Sequence, residues 1–210
     1  MINILIADDH ATVRQGLKTF LQAEGDMTIA GEAVDGNQAI KLALNGDWDI
    51  FILDMTLPGR DGLEVLKRVK QSRPELPVVI FTMHDEDALA LRCLKAGACG
   101  YVTKDSDPEE LITAIRTVIG GQKHITPELG NLLLNDWGRD PDLPLHEQLS
   151  DREFSVMRMI ASGETVSTVA EKLSLSVRTV STYKNRVLTK MNFKNNSELI
   201  AYAINHKIVS

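Results

Sequence analysis

Five side chains capable of phosphoryl chemistry fall at the ends of short apolar runs. Asp8 and Asp9 follow Ile4-Leu5-Ile6-Ala7, Asp54 closes Ile50-Phe51-Ile52-Leu53, Thr82 closes Val78-Val79-Ile80-Phe81, and Lys104 follows Tyr101-Val102-Thr103. Carboxylates that converge repel one another unless a hard cation lies among them, and an all-oxygen donor set suits Mg²⁺. Two acids and a backbone carbonyl can hold the metal, one carboxylate can attack a phosphoryl donor, and an ammonium and a hydroxyl can bind the transferred oxygens. Any one of these acids alone reads as a strand-end carboxylate facing water. The joint order, acid pair, acid, Thr, Lys, points to a site.

Strands alternating with amphipathic helices would place all five together, because ligands of parallel α/β sheets bind at the carboxyl ends of strands. The pattern predicts strands at Asn3–Ala7, Met27–Glu32, Ile50–Asp54, Val78–Thr82 and Gly100–Thr103. It predicts helices at Ala11–Glu24, Gly36–Asn45, Gly62–Gln71, Asp87–Ala96 and Asp107–Ile119. The result is an α/β fold, a (βα)₅ doubly wound unit over residues 1–120, with helices on both faces of a parallel sheet. Pro58-Gly59 and Asp61-Gly62 read as a turn that caps the third helix. Residues 121–147 read as a linker with one helix, from Thr126-Pro127 to about Trp137, before the Pro-, Gly- and Asp-rich stretch 138–144. From there the chain becomes all-α. Four helices, Asp151–Ala161, Thr165–Leu173, Val177–Met191 and Ser197–Asn205, form a second domain over 148–210.

The length of 210 residues accommodates two modest domains. The net charge of −6 is unevenly spread: residues 1–120 carry 12 Lys and Arg against 19 Asp and Glu, and residues 150–210 carry 9 against 5. Only the C-terminal part is therefore expected to meet a polyanion. No apolar run approaches a membrane span, and the opening Met-Ile-Asn-Ile-Leu-Ile enters a strand rather than a signal peptide, so no membrane partner and a cytoplasmic location are expected. Cys93 and Cys99 form no CxxC pair and read as reduced, buried packing residues. His10 and His84 flank the proposed site, but no HExxH or Cys/His cluster supports a metal role for them.

The segments ADDH, LDMTLPGRDG, FTMHDE and KAGACGYVTKD together resemble the receiver domain of two-component response regulators. That resemblance implies that Asp54 is the phosphorylated nucleophile and that Asp8 and Asp9 hold Mg²⁺ together with Asp54 and the backbone carbonyl of Met55. It implies that Lys104 pairs with the phosphoryl oxygens, and that Thr82 and Tyr101 are the hydroxyl and aromatic switch positions. Many receivers follow the lysine with proline. Asp105 stands there instead, a departure that removes no chemical group.

In the second domain, Thr165–Leu173, the turn Ser174-Leu175-Ser176 and Val177–Met191 have the lengths of a helix-turn-helix. Val180, Val187 and Met191 share one face of the longer helix, bordered by Val177, Tyr183 and Leu188. By geometry Arg178, Ser181, Thr182 and Asn185 are assigned to base edges, and Thr179, Lys184, Arg186 and Lys190 to the DNA backbone. The segment from Leu149 to Met191 resembles the LuxR-type DNA-binding domain of the NarL/FixJ class, and that analogy makes the last helix a dimer-forming element.

Together these features predict a response regulator. A histidine kinase or small phosphodonor phosphorylates Asp54, which controls dimerisation and promoter binding, with slow autodephosphorylation and no metabolic enzyme activity. A phosphotransferase acting on an external substrate would need an acid/base near the nucleophile and a cap over the substrate. Met55-Thr56 supplies no carboxylate, and no cap insertion is evident. A receiver serving only as a dimerisation module would lack acceptor residues that are present here.

Overall fold

The computed structural model describes residues 1–84, 87–137 and 144–209. The chain divides into two compact units, Met1–Asp85 with Arg92–Thr126, and Glu86–Leu91 with Pro127–Ser210.

In the first unit, β1 (Ile2–Ala7), β2 (Met27–Ala33), β3 (Ile50–Leu53), β4 (Val78–Thr82) and β5 (Gly100–Thr103) form a five-stranded sheet ordered β2-β1-β3-β4-β5. Every pairing is parallel. Parallel neighbours require a crossover, and α1 (Ala11–Ala23), α2 (Gly36–Asn45), α3 (Gly62–Ser72) and α4 (Asp87–Lys95), whose residues are divided between the two units, supply the four connections, while α5 (Pro108–Ile119) follows the last strand. Continuous Ile, Leu, Val and Phe runs suit strands covered on both faces, and all four residues of β3 are buried. Ile4, Ile6, Ile50, Ile52, Val79 and Val102 share one buried cluster with Leu21 of α1 and Leu111, Ile115 and Val118 of α5.

The predicted elements match these within a residue or two, because caps set the boundaries. The side chains of Asp35, Asp61 and Asp107 accept from the backbone N–H of Gln38, Glu64 and Glu109, fixing the starts of α2, α3 and α5. Gly62 is required by close packing. A Cβ there would lie 2.5 Å from both the Asp54 carbonyl oxygen and the Met55 Cα. Cys93 is buried as expected, but Cys99 is only partly so; both are free thiols.

The second unit contains α6 (Pro127–Trp137), α7 (Asp151–Ala161), α8 (Val166–Lys172), α9 (Val177–Lys190) and α10 (Asn196–Asn205). A short 3-10 helix at Leu145–Gln148, entered from Pro144, falls where the sequence reads as linker. Residues 138–143 of the predicted linker lie outside the described residues. Ser150 and Glu153 close a reciprocal capping box on α7. Thr165, Ser176 and Asn195 cap α8, α9 and α10. Between α8 and α9 the chain turns through Ser174 at φ +52°, and Leu175 N–H bonds back to the Ala170 carbonyl at 2.8 Å. No helix among the described residues is long and apolar enough to cross a membrane.

Candidate functional site

The sheet order decides the first site. β1 and β3 are neighbours, with Ala7 opposite Leu53, and Asp54 N–H donates to the Ala7 carbonyl at 2.9 Å. Asp8 and Asp54 thus leave adjacent strands at the point where the winding of the sheet reverses, the usual crevice of such folds. Asp8 and Asp54 are buried while Asp9 is largely exposed. Oxygens of Asp8, Asp9 and Asp54 and a ring nitrogen of His10 all lie within 4.8 Å of one another.

Lys104 reaches into this cluster across β4 and β5, its backbone N–H bonded to the Thr82 carbonyl at 2.7 Å. Its ammonium donates to Asp54 Oδ2 at 2.7 Å. The same ammonium is 2.7 Å from Asp8 Oδ2, a second buried ion pair. Burial works against the charge of Lys104, but Asp54 and Asp8 outweigh it and hold its pKa above the usual lysine value. The Met55 carbonyl accepts from Gly62 N–H at 3.0 Å, and its second lone pair remains for another partner. Carboxylate oxygens with spare capacity beside a backbone carbonyl match the donor preference of Mg²⁺.

Thr82 is fully buried, and its hydroxyl has no hydrogen-bond partner among the described residues. Tyr101 is buried too, its hydroxyl donating to the His84 carbonyl at 2.6 Å. Sequence reasoning set His10 aside, yet its Nδ1 lies 2.7 Å from Asp9 Oδ1 and 3.3 Å from Asp8 Oδ1. Its position directly after the acid pair was the available signal. The bond of 3.2 Å between Thr56 Oγ1 and His84 Nε2 had no sequence signal, since it joins residues 28 apart.

The second site is α9. Val180 and Val187, and Met191 just beyond the helix, are buried, while Tyr183 and Leu188 are partly covered. Val177 departs from the expected apolar border: at the first position of the helix it is 51% exposed. On the other side Arg178, Thr182, Asn185 and Arg186 are exposed, and Thr179, Ser181 and Lys184 are partly so. Thr182, Asn185, Arg186, Thr189 and Lys190 line a shallow depression of about 320 Å³. Thr182 donates its hydroxyl proton to the Arg178 carbonyl at 3.0 Å, so toward a ligand it acts as an acceptor.

Lys190 has an additional task. Its ammonium bonds Glu153 Oε2 at 2.6 Å, a carboxylate that also caps the backbone of Ser150. Burial pushes the Glu153 carboxyl up, but Lys190 and Ser150 outweigh it and hold it below the usual glutamate range. A depressed folded-state pKa gives stability that is fully present above the unfolded value of ~4.3 and is lost as pH falls through the folded value. In thermal melts, acidification through that window should therefore destabilise this domain more in the parent than in Glu153→Gln. Parallel losses in both would remove the assignment.

Residues 4–116 match the family described as response regulator receiver domain, and residues 147–203 match the luxR family of bacterial regulatory proteins. Response regulator UvrY of Escherichia coli is 34% identical over 207 residues, 98% of this chain and 95% of that protein. Response regulator GacA of Pseudomonas aeruginosa is 35% identical over 210 residues, covering 100% of this chain and 98% of the other. Among solved structures, RcsB of Salmonella typhimurium aligns with a TM-score of 0.72 at 27% identity, covering 98% of each chain. RcsB of Salmonella enterica serovar Typhimurium bound to the promoter rprA in the presence of phosphomimetic BeF3⁻ aligns at 0.67 with 26% identity, over 96% of this chain and 97% of that one.

Proposed function

Because the chain belongs to the NarL/FixJ-type two-component response regulators, in which a receiver domain and a LuxR-type DNA-binding domain serve transcription regulation, we propose that Asp54 is its phospho-acceptor and α9 its DNA-recognition helix. The observation that carries the reading is Lys104 at 2.7 Å from the carboxylates of both Asp8 and Asp54. A buried cation beside the acceptor carboxylate supports the reading, because it can bind transferred phosphoryl oxygens.

A carboxylate oxygen of Asp54 attacks the phosphorus of a phosphohistidine or acyl phosphate. The new O–P bond forms as the bond to imidazole nitrogen or acyl oxygen breaks, and the leaving group carries away the electron pair. Asp8, Asp9, Asp54 and the Met55 carbonyl would hold Mg²⁺, which neutralises charge on the transferring group. Lys104 binds its oxygens, and Thr82, buried with an uncommitted hydroxyl, donates to another. Slow reversal by water, releasing phosphate and restoring the Asp54 carboxylate, ends the signal. This is regulation rather than metabolic turnover.

The proposed partners are a histidine kinase or a small phosphodonor, promoter DNA and a second copy of the chain through α10, in the cytoplasm. The proposed boundaries are a receiver over 1–120, a linker over 121–147 and a DNA-binding domain over 148–210. Arg178, Ser181, Thr182 and Asn185 face base edges, and Thr179, Lys184, Arg186 and Lys190 the phosphates. Treatment with acetyl phosphate and Mg²⁺ should raise the affinity for selected promoter DNA by at least about fivefold, the lower end of ordinary allosteric coupling. Complete phosphorylation with unchanged DNA affinity and unchanged oligomeric state would overturn the proposed control.

A further inference from the structure

A chain of polar contacts leads from the acceptor carboxylate to the buried tyrosine without passing through Thr82. Thr56 N–H donates to Asp54 Oδ1 at 3.2 Å. The Thr56 hydroxyl is 3.2 Å from His84 Nε2, and the carbonyl of His84 accepts from the Tyr101 hydroxyl at 2.6 Å. The hydroxyl of Thr82, although fully buried, has no hydrogen-bond partner among the described residues.

We infer that Thr56 and His84 are positioning residues that tether Asp54 to Tyr101, so that a change at the carboxylate reaches the aromatic ring through them as well as through Thr82. The inference rests on Asp54 being the acceptor. An ionised carboxylate shares its charge between both oxygens and is a strong acceptor for Thr56 N–H. Phosphorylation turns it into an acyl phosphate: one carboxyl oxygen becomes the bridge to phosphorus, and the other, now an uncharged carbonyl oxygen, accepts more weakly. The N–H then turns toward the more highly charged phosphoryl oxygens, carrying the Thr56 side chain with it. Because the Thr56 hydroxyl is bonded to the His84 ring, that movement is passed to the residue whose carbonyl holds Tyr101. The first bond of the tether depends on the charge of Asp54, which gives the coupling a physical basis beyond a line of neighbours.

The chain has three tyrosines, so protein labelled with ¹⁵N-tyrosine gives three amide signals, and Tyr101→Phe identifies the one of interest. The full-length protein is saturated with Mg²⁺ and beryllofluoride, a mimic of the acyl phosphate, and phosphorylation by acetyl phosphate is measured on the same preparations. The displacement of the Tyr101 signal should shrink by about twofold or more in Thr56→Val and His84→Ala, return in Thr56→Ser, and vanish when Thr56→Val is combined with Thr82→Ala. A merely structural role for the pair predicts no such selective loss and rescue. Full displacement in both Thr56→Val and His84→Ala, with Asp54 still phosphorylated, would overturn the tether. Failure of the parent protein to accept phosphate would overturn the acceptor reading first and the tether with it.

Discussion

Asp54→Asn should abolish phosphorylation by acetyl phosphate and Mg²⁺, whereas the parent gains one phosphoryl group per chain. An amide oxygen lacks the charge needed to attack phosphorus, and no neighbouring acid can take over. Asp8, whose Oδ1 accepts from the His10 backbone N–H, and Asp9, paired with His10, are assigned to the metal rather than to attack on phosphorus. The variant should still fold. Replacing a buried carboxylate near two others relieves repulsion, and Lys104 retains its contact with Asp8. Asp8→Asn and Asp9→Asn should instead retain the nucleophile, bind Mg²⁺ more weakly and react slowly. Retained labelling in Asp54→Asn would move the acceptor elsewhere, and unchanged Mg²⁺ affinity in both other variants would defeat the ligand assignment.

On α9, base contacts and phosphate contacts should separate in binding measurements. Asn185→Ala removes an exposed amide from the proposed groove-facing side, so a loss of roughly 1–3 kcal/mol should be confined to particular base pairs. Thr182→Ala should behave in the same way, weakening sites that offer its hydroxyl oxygen a donor. Lys184→Ala should weaken binding to all sequences alike and reduce the salt slope by about one unit. Lys190→Ala gives a less direct test, because its ammonium also neutralises Glu153. Loss of that partner leaves a buried carboxylate with its Ser150 bonds but without its counter-charge, so some affinity would disappear through lost stability. Site selection followed by salt titration distinguishes the cases. If the Thr182 and Asn185 variants keep the parent's preference while Lys184→Ala changes it, the other face of α9 enters the groove.

The sequence by itself determined the features that depend on neighbours along the chain. Apolar runs of strand length placed Asp54 and Thr82 at or just beyond strand ends. Helical spacing put Val180 and Val187 on the covered side of α9 and Asn185 on the open side, and both helix and turn lengths marked the helix-turn-helix. Capping acids brought the predicted helix starts close to those observed. These are consequences of local geometry, with periods of 2.0 and 3.6 residues and caps acting within one turn.

Only the tertiary structure decided which strand ends meet. The pairing of β1 with β3 puts Asp8 beside Asp54, and β4 with β5 carries Lys104 to both. Neither follows from periodicity, because hydrophobic patterning makes a strand without naming its neighbour. The same limit hid the bond from Lys190 to Glu153, 37 residues apart, and the bond from Thr56 to His84. In both, a polar side chain finds its partner on another element, and the distance between them is fixed only once the core has packed. The sequence therefore supplied the chemical groups and their local orientation, while long-range packing decided which of them touch.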